Sequence, residues 1–165
     1  MKVRWEAAAP GVREVLERLT PSLRRAPWYL AGGTALALLE GHRVSVDLDL
    51  FCERMDDPEA VLQSLEDAVP ELESSTISPG ALDVVVDGIR VSFLRYRYPL
   101  LEPVLAVTTE VVPIAHRDDL AAMKLAAVTG RGSRKDFFDL WTLITRHDGL
   151  EHYLECFRRK FVRRD

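Results

Sequence analysis

Residues 44–51, VSVDLDLF, constrain the fold of this chain more than any other stretch. Val44, Val46, Leu48 and Leu50 alternate with Ser45, Asp47, Asp49 and Phe51, a period of two that predicts a strand with one apolar face turned to a core. The opposite face carries Asp47 and Asp49, whose carboxylates project side by side. Acidic residues are disfavoured in strands, and two like charges repel unless water or a cation absorbs them. A solvated edge strand accounts for the pair; so does a divalent cation, since Mg²⁺ takes one or two carboxylates together with water and phosphate oxygens.

Elements on either side complete an α/β (α+β) pattern. GVREVLERL (11–19) has a helical apolar stripe, expected to close at Thr20-Pro21. WYLAGG (28–33) reads as a short strand ending in glycines. TALALLEG (34–41) reads as a short helix with Thr34 as N-cap and Gly41 as stop. DPEAVLQSLEDAV (57–69) is an amphipathic helix opened by Asp57 and a proline in the first turn. Strands follow at roughly 72–78, 81–88 and 89–98, the last two joined by a tight Asp87-Gly88 hairpin, with a shorter one over 107–112. Helices are expected at 117–130, 133–146 and 150–161. The whole, 1–165, reads as one domain whose C-terminal part, from about 114, is helical.

Composition narrows the function classes. With 165 residues, 47% of them hydrophobic, the chain is long enough to bury a core. A net charge of −4 argues against a generally basic nucleic-acid-binding surface, although the last eight residues, RRKFVRRD, hold five basic groups. These fit either an anionic partner or a solvated helix end. Cys52 and Cys156 are far apart and in no metal-ligand spacing, so neither a disulfide framework nor a zinc site is expected. No run approaches membrane-spanning length and the N-terminus has no continuous apolar region, so the expectation is a cytoplasmic protein without membrane contact.

Three further features bear on chemistry. A strand that stops at Gly32-Gly33 and turns into a helix at Thr34 presents backbone N–H groups and a hydroxyl to phosphate oxygens, although two glycines also make an ordinary tight turn. Neither the dinucleotide fingerprint nor a P-loop is present. In the helix after 117, Leu120, Met123, Ala127 and Val128 form the expected buried stripe, with Lys124 at its border. That lysine either snorkels to water or reaches a transferring phosphate as a fixed cation. Ser133 and Asp136 have the spacing of a capping box. Phe137, Leu140, Trp141 and Ile144 are expected in the core, while Arg131, Arg134 and Lys135 are either surface residues or contacts to a polyanion.

Taken in order, LAGGTALAL, HRVSVDLDLF, YRYPLL and DLAAMKLAAVTGRGSRKDFFDLWTL resemble the AbiEii-type nucleotidyltransferase toxin family, within the DNA polymerase β-like superfamily. The resemblance covers about residues 28–145. It implies a nucleotidyltransferase fold, a small mixed sheet flanked by helices, with Mg²⁺ on the Asp-x-Asp pair and an NTP as donor. Carried over by position, it makes Asp47 and Asp49 metal-binding and catalytic. Gly32, Gly33 and Thr34 become a phosphate element, Arg43 and Ser45 the lead-in to the aspartates, and Lys124 and Asp136 catalytic residues; beside them, Asp136 is expected to orient Lys124 or Arg131, and Arg43, Ser45 and Arg131 are nucleotide-binding candidates. Asp139, one turn on, has either a structural role or a part in the site.

The implied activity is Mg²⁺-dependent transfer of NMP to an RNA (tRNA-like) or protein acceptor, by the toxin of a toxin–antitoxin or phage-defence module with a cognate antitoxin protein as partner. The chain departs from the pattern in two ways. Superfamily members usually carry a third carboxylate on a neighbouring strand where this chain has Ser92; Asp83 or Asp87 is the nearby substitute, Asp87 being committed to the hairpin turn. It is also shorter than many relatives. The alternative is a catalytically silent nucleotidyltransferase-like module that binds nucleotide or a partner protein.

Overall fold

The computed structural model describes residues 1–55, 57–107 and 111–162. A 3₁₀ turn at Trp5–Ala7 leads into α1 (Val12–Leu23), followed by β1 (Tyr29–Ala31), α2 (Gly32–Glu40), β2 (Leu48–Cys52) and α3 (Pro58–Ala68). Next come β3 (Ser74–Ser78), β4 (Ala81–Val86) and β5 (Ile89–Arg95), then α4 (Arg117–Gly130), α5 (Arg134–Arg146) and α6 (Leu150–Phe161). The strands form one mixed sheet in the order β1-β2-β5-β4-β3, in which β2 and β5 are parallel and the other pairs antiparallel. The α/β expectation and most helix boundaries hold.

Register explains which side chains share a face. Leu48, Val91 and Val84 lie in one cross-strand row and Leu50, Phe93 and Leu82 in the next, all buried. The apolar stripe of α1 (Val12, Val15, Leu16, Leu19, Leu23) and Leu65 of α3 belong to the same core, and Trp28 meets Phe93 edge-on at 5.4 Å. On the opposite face, Asp49, Ser92 and Asp83 are register partners across β2, β5 and β4. The tight β4–β5 hairpin holds as expected, with φ positive at both Asp87 and Gly88.

Several expectations are corrected. Helix α1 does not close at Thr20-Pro21 but runs on to Leu23, because burying Leu23 outweighs a proline near the helix end. Helix α2 starts at Gly32, so Thr34 lies in its first turn and is not its N-cap. The strand expected over 44–51 begins only at Leu48. Ahead of it the phase reverses, leaving Val44 and Val46 60% and 49% exposed while Ser45 is buried. The cause is a separate pairing: the Ser45 N–H donates to the Ala7 carbonyl, and the Ala9 N–H to the Ser45 carbonyl, both at 2.9 Å. The strand expected over 107–112 falls partly outside the described residues; beside it Leu105 bridges Ile114, which also bridges Leu30.

The C-terminal helices invert part of the expected pattern. Phe137 and Trp141 are 54% and 59% exposed, while Asp136 and Asp139 are buried beside Leu140 and Leu143. In α4 the buried positions include Asp118, Asp119 and Lys124 as well as Leu120; Met123, Ala127 and Val128 are only half-buried. Charged partners bury these polar positions. Asp119 accepts from Lys160 Nζ at 2.6 Å and from the Leu101 N–H at 2.9 Å, tying α6 and the 101–102 segment to α4. Cys52 and Cys156 are buried and not disulfide-bonded to each other, and Cys156 lies 3.6 Å from His152 Nε2, which is itself paired with Asp118 at 2.9 Å. Thus Asp118, His152 and Cys156 do bring three possible ligand atoms within 4.8 Å of one another, although the spacing of the cysteines gave no sign of it. Helix α2 packs on both α4 and α5 and so joins the helical part to the sheet. No described helix is long and apolar enough to cross a membrane.

Candidate active site

The Gly-Gly turn shapes one wall. Gly32 has φ +73°, and a Cβ there would lie 2.6 Å from Asp49 Oδ2; a Cβ on Gly33 would lie 2.5 Å from Arg43 Nη2. Gly32 is required by its left-handed backbone together with this approach, whereas a Cβ at Gly33 would have to displace the Arg43 guanidinium. The N-cap residue of α2, Ala31, provides no side-chain cap, and Gly33 and Thr34 of its first turn line the site cavity, so the positive end of the helix dipole lies at the site. The Thr34 hydroxyl is committed within the chain: it bonds Ser45 Oγ at 2.8 Å and donates to the Asp47 carbonyl. Thr34 thus orients the loop that carries Asp47.

Asp47 and Asp49 stand next to that turn, Asp47 exposed just ahead of β2 and Asp49 half-buried within it. Neither carboxylate has an ion pair or side-chain hydrogen bond among the described residues, whereas other acids close to the site are paired. Burial, and then the charge of Asp47, push the Asp49 carboxyl above its ordinary value, against the pull of Arg90, Lys124 and Arg131. Two unpartnered carboxylates, one of them reluctant to ionise alone, form a hard oxygen donor set that fits Mg²⁺.

Opposite them lies a second pair of acids with the reverse character. Asp136 and Asp139 are fully buried, and Lys124 Nζ sits between them, 2.9 Å from Asp136 Oδ1 and 2.8 Å from Asp139 Oδ2. Lys124 is therefore no snorkelling residue; it is buried and doubly paired. Asp136 also receives a two-pronged contact from Arg131, at 2.8 and 2.9 Å, and the Ser133 hydroxyl at 2.7 Å. The Ser133 capping of Asp136 holds as expected, with the Asp136 N–H donating to Ser133 Oγ. Asp139 receives the Arg43 fork at 2.7 and 2.8 Å and His42 Nε2 at 2.6 Å. Arg131, then Lys124 and Ser133, hold the Asp136 carboxyl far below the usual range. Burial raises Asp139, but the bonds from Arg43, His42 and Lys124 outweigh it and the carboxyl is lowered.

These groups converge. A cavity of about 490 Å³ is lined by Gly33, Thr34, Arg43, Ser45, Asp47 and Asp49 from the turn and β2, by Lys124, Arg131 and Asp136 from the C-terminal helices, and by Asp83, Arg90 and Ser92 from β4 and β5. A second bay of about 390 Å³ shares Gly32, Asp49, Lys124 and Arg131 and is otherwise walled by Phe51, Leu94, Leu120, Met123 and Ala127. Asp49 thus sits at the seam between a polar cavity and an apolar one.

All ten residues expected at the site lie in or against these cavities. Sequence reasoning did not see that the buried His42 holds Asp139, and it left Asp139 undecided. The spacing Asp136-x-x-Asp139 on a helix was the available signal for a shared face; nothing local marks His42.

Comparison with known proteins bears on this arrangement. The chain matches, over residues 14–111 and 82–165, the family described as "Nucleotidyl transferase AbiEii toxin, Type IV TA system". It is 39% identical over 137 residues to the uncharacterized protein aq_aa25 of Aquifex aeolicus, covering 82% of this chain and 66% of that protein. The chain therefore spans just under two thirds of that relative's length. Among solved structures it is similar to JHP933 from Helicobacter pylori (TM-score 0.60, 22% identity, 89% of this chain and 70% of that one). It is also similar to MenT4, a nucleotidyltransferase toxin from Mycobacterium tuberculosis (0.59, 20%, 87% and 61%), and to the antibiotic-resistance factor ANT(2'')-Ia (0.58, 13%, 88% and 88%). At these identities the structures establish a shared fold, the nucleotidyltransferase fold. Together with the family match over nearly the full length, this means that the chain belongs to the nucleotidyl transferase AbiEii toxin family.

Proposed function

We propose that this protein transfers NMP from an NTP to an acceptor hydroxyl in a Mg²⁺-dependent reaction. The observation that carries the reading is the meeting, around one cavity, of two unpartnered carboxylates, an uncapped helix N-terminus and a fixed lysine, in a chain of this family. The triphosphate would lie against the N–H groups at Gly33 and Thr34, with the nucleoside against the apolar bay that shares Asp49. Asp47 and Asp49 would hold the metal, which when bound offsets charge on the phosphates and the leaving pyrophosphate.

The chain's own groups then have distinct tasks. Lys124 and Arg131 present positive charge where the phosphates gather, and Asp136 and Asp139 keep Lys124 in one position so that it need not reorganise. Arg43 keeps its fork on Asp139 and closes the wall behind Gly33. The acceptor is an RNA end, tRNA-like, or a protein hydroxyl; the protein acts as a toxin, inside the cell, with a cognate antitoxin as its partner. Family membership supports this reading of its role.

The test is incubation with each α-labelled NTP, Mg²⁺, and total RNA or protein. Label transfer that is abolished in Asp47→Ala and Asp49→Ala and by chelation of Mg²⁺ is the expected result. Triphosphate binding with no transfer to any acceptor would overturn it in favour of a silent binding module.

A further inference from the structure

Resting on that reading, we propose that Asp83, acting through Ser92, is the proton acceptor for the attacking hydroxyl. The third carboxylate is thereby supplied one strand further out in the sheet than Ser92 itself. Asp49, Ser92 and Asp83 form a single row across β2, β5 and β4. Adjacent strands lie about 4.8 Å apart, so Ser92 occupies the place next to Asp49 and Asp83 the place beyond it. All three line the same cavity.

The Ser92 hydroxyl donates to Asp83 Oδ1. That direction matters, because a hydroxyl whose proton points at a carboxylate leaves its lone pairs open to accept from another group. Ser92 is 6% exposed and Asp83 is half-buried, with Arg90 Nη2 3.3 Å from the same Oδ1. Arg90 favours the ionised carboxylate, the form that can accept a proton, and the bond to Asp83 fixes the serine hydroxyl.

In the step, the acceptor O–H bond breaks as its oxygen forms a bond to the α-phosphorus. Its proton passes to Ser92 Oγ while the Ser92 proton passes to Asp83. The bond from the α-phosphorus to the bridging oxygen breaks, and pyrophosphate leaves with that electron pair. No free serine alkoxide forms and no further reactant is needed.

The test measures kcat and KM for NTP in wild type, Asp83→Asn, Ser92→Ala, the combined variant, and a Ser92→Asp/Asp83→Ser exchange that returns the acid to β5. Removing a positioned base costs on the order of 100-fold or more in kcat. The expected result is such a loss in each single variant with KM within about twofold, and no greater loss in the combined one, because the two groups act as a unit. The exchange is expected to recover most of the activity, a rescue that a purely structural role would not produce. Asp83→Asn within about threefold of an active wild type, or a rise in KM at unchanged kcat, would overturn the relay alone. A wild type with no transfer at all would overturn it together with the proposed function. Should Asp83→Asn fold poorly, Ser92→Ala decides by the same criteria.

Discussion

Two pairs of aspartates meet at one site, Asp47, Asp49 and Asp136 lining its cavity and Asp139 buried outside the lining, and the protein around them treats the two pairs in opposite ways. Asp136 and Asp139, three residues apart on α5, are buried and answered by Lys124, Arg131, Arg43 and His42. Asp47 and Asp49, two apart, one just ahead of β2 and one within it, have no such partners among the described residues, and Asp49 is raised where Asp136 and Asp139 are lowered. The comparison teaches that acidity alone does not mark a ligand site. A carboxylate pair whose charge is already balanced within the chain organises structure; a pair left unbalanced is prepared for something from outside.

Replacing the open pair tests this most severely. Asp49→Ala is expected to lower NMP transfer by about 10³-fold or more, since metal-assisted charge stabilisation is worth several kcal/mol. Its folding stability should not fall, and Asp49→Asn should melt higher than wild type at neutral pH. The sign follows from a carboxyl raised in the folded state: its charged form opposes folding, so the advantage of asparagine grows as pH rises above about 4 and is absent below. Mg²⁺ should raise the melting temperature of wild type and not of this variant; an equal rise in both would show that the pair does not hold the metal.

The closed pair should behave in reverse. Asp139→Ala leaves Arg43 and His42 without their buried partner and Lys124 with Asp136 alone, and breaking a buried ion pair costs about 3–5 kcal/mol. Urea unfolding would measure it. For wild type the contribution of Asp136 and Asp139 is complete above the unfolded carboxyl value, about 4, and is lost as pH falls below it. The stability gap between wild type and Asp139→Asn should therefore narrow on acidification; a gap constant down to pH 2 would remove the ionic explanation.

Gly32→Ala sits between the two regimes. A Cβ at φ +73° and 2.6 Å from Asp49 Oδ2 forces the carboxylate aside, with backbone strain of about 1–3 kcal/mol. Calorimetry should show both the lower stability and weaker Mg²⁺ binding. The smallest effect is expected at Trp141→Ala and Phe137→Ala, both mainly exposed, where stability should change by no more than about 0.5 kcal/mol.

Local chemistry was readable without coordinates: the period-two acids, the Gly-Gly turn, the Ser133 cap, the Asp87-Gly88 hairpin and the Asp57 cap all depend on neighbours within a few residues. Misreadings arose where distant contacts overrode local pattern. The valines at 44 and 46 look like core residues until Ser45 pairs with the N-terminal segment, and the aromatic stripe of α5 looks buried until Asp136 and Asp139 claim the inner face.

What the amino-acid order determined by itself was the family, the mixed architecture and the identity of the open aspartates, because periodicity, caps and ordered motifs are short-range. What only the tertiary structure decided was the charge balance. Lys124 is committed to two carboxylates, Arg43 and His42 reach Asp139 across 96 and 97 positions of sequence, and Asp83 meets Ser92 through strand register. Electrostatic partnership depends on distance in space, to which position along the chain is a poor guide.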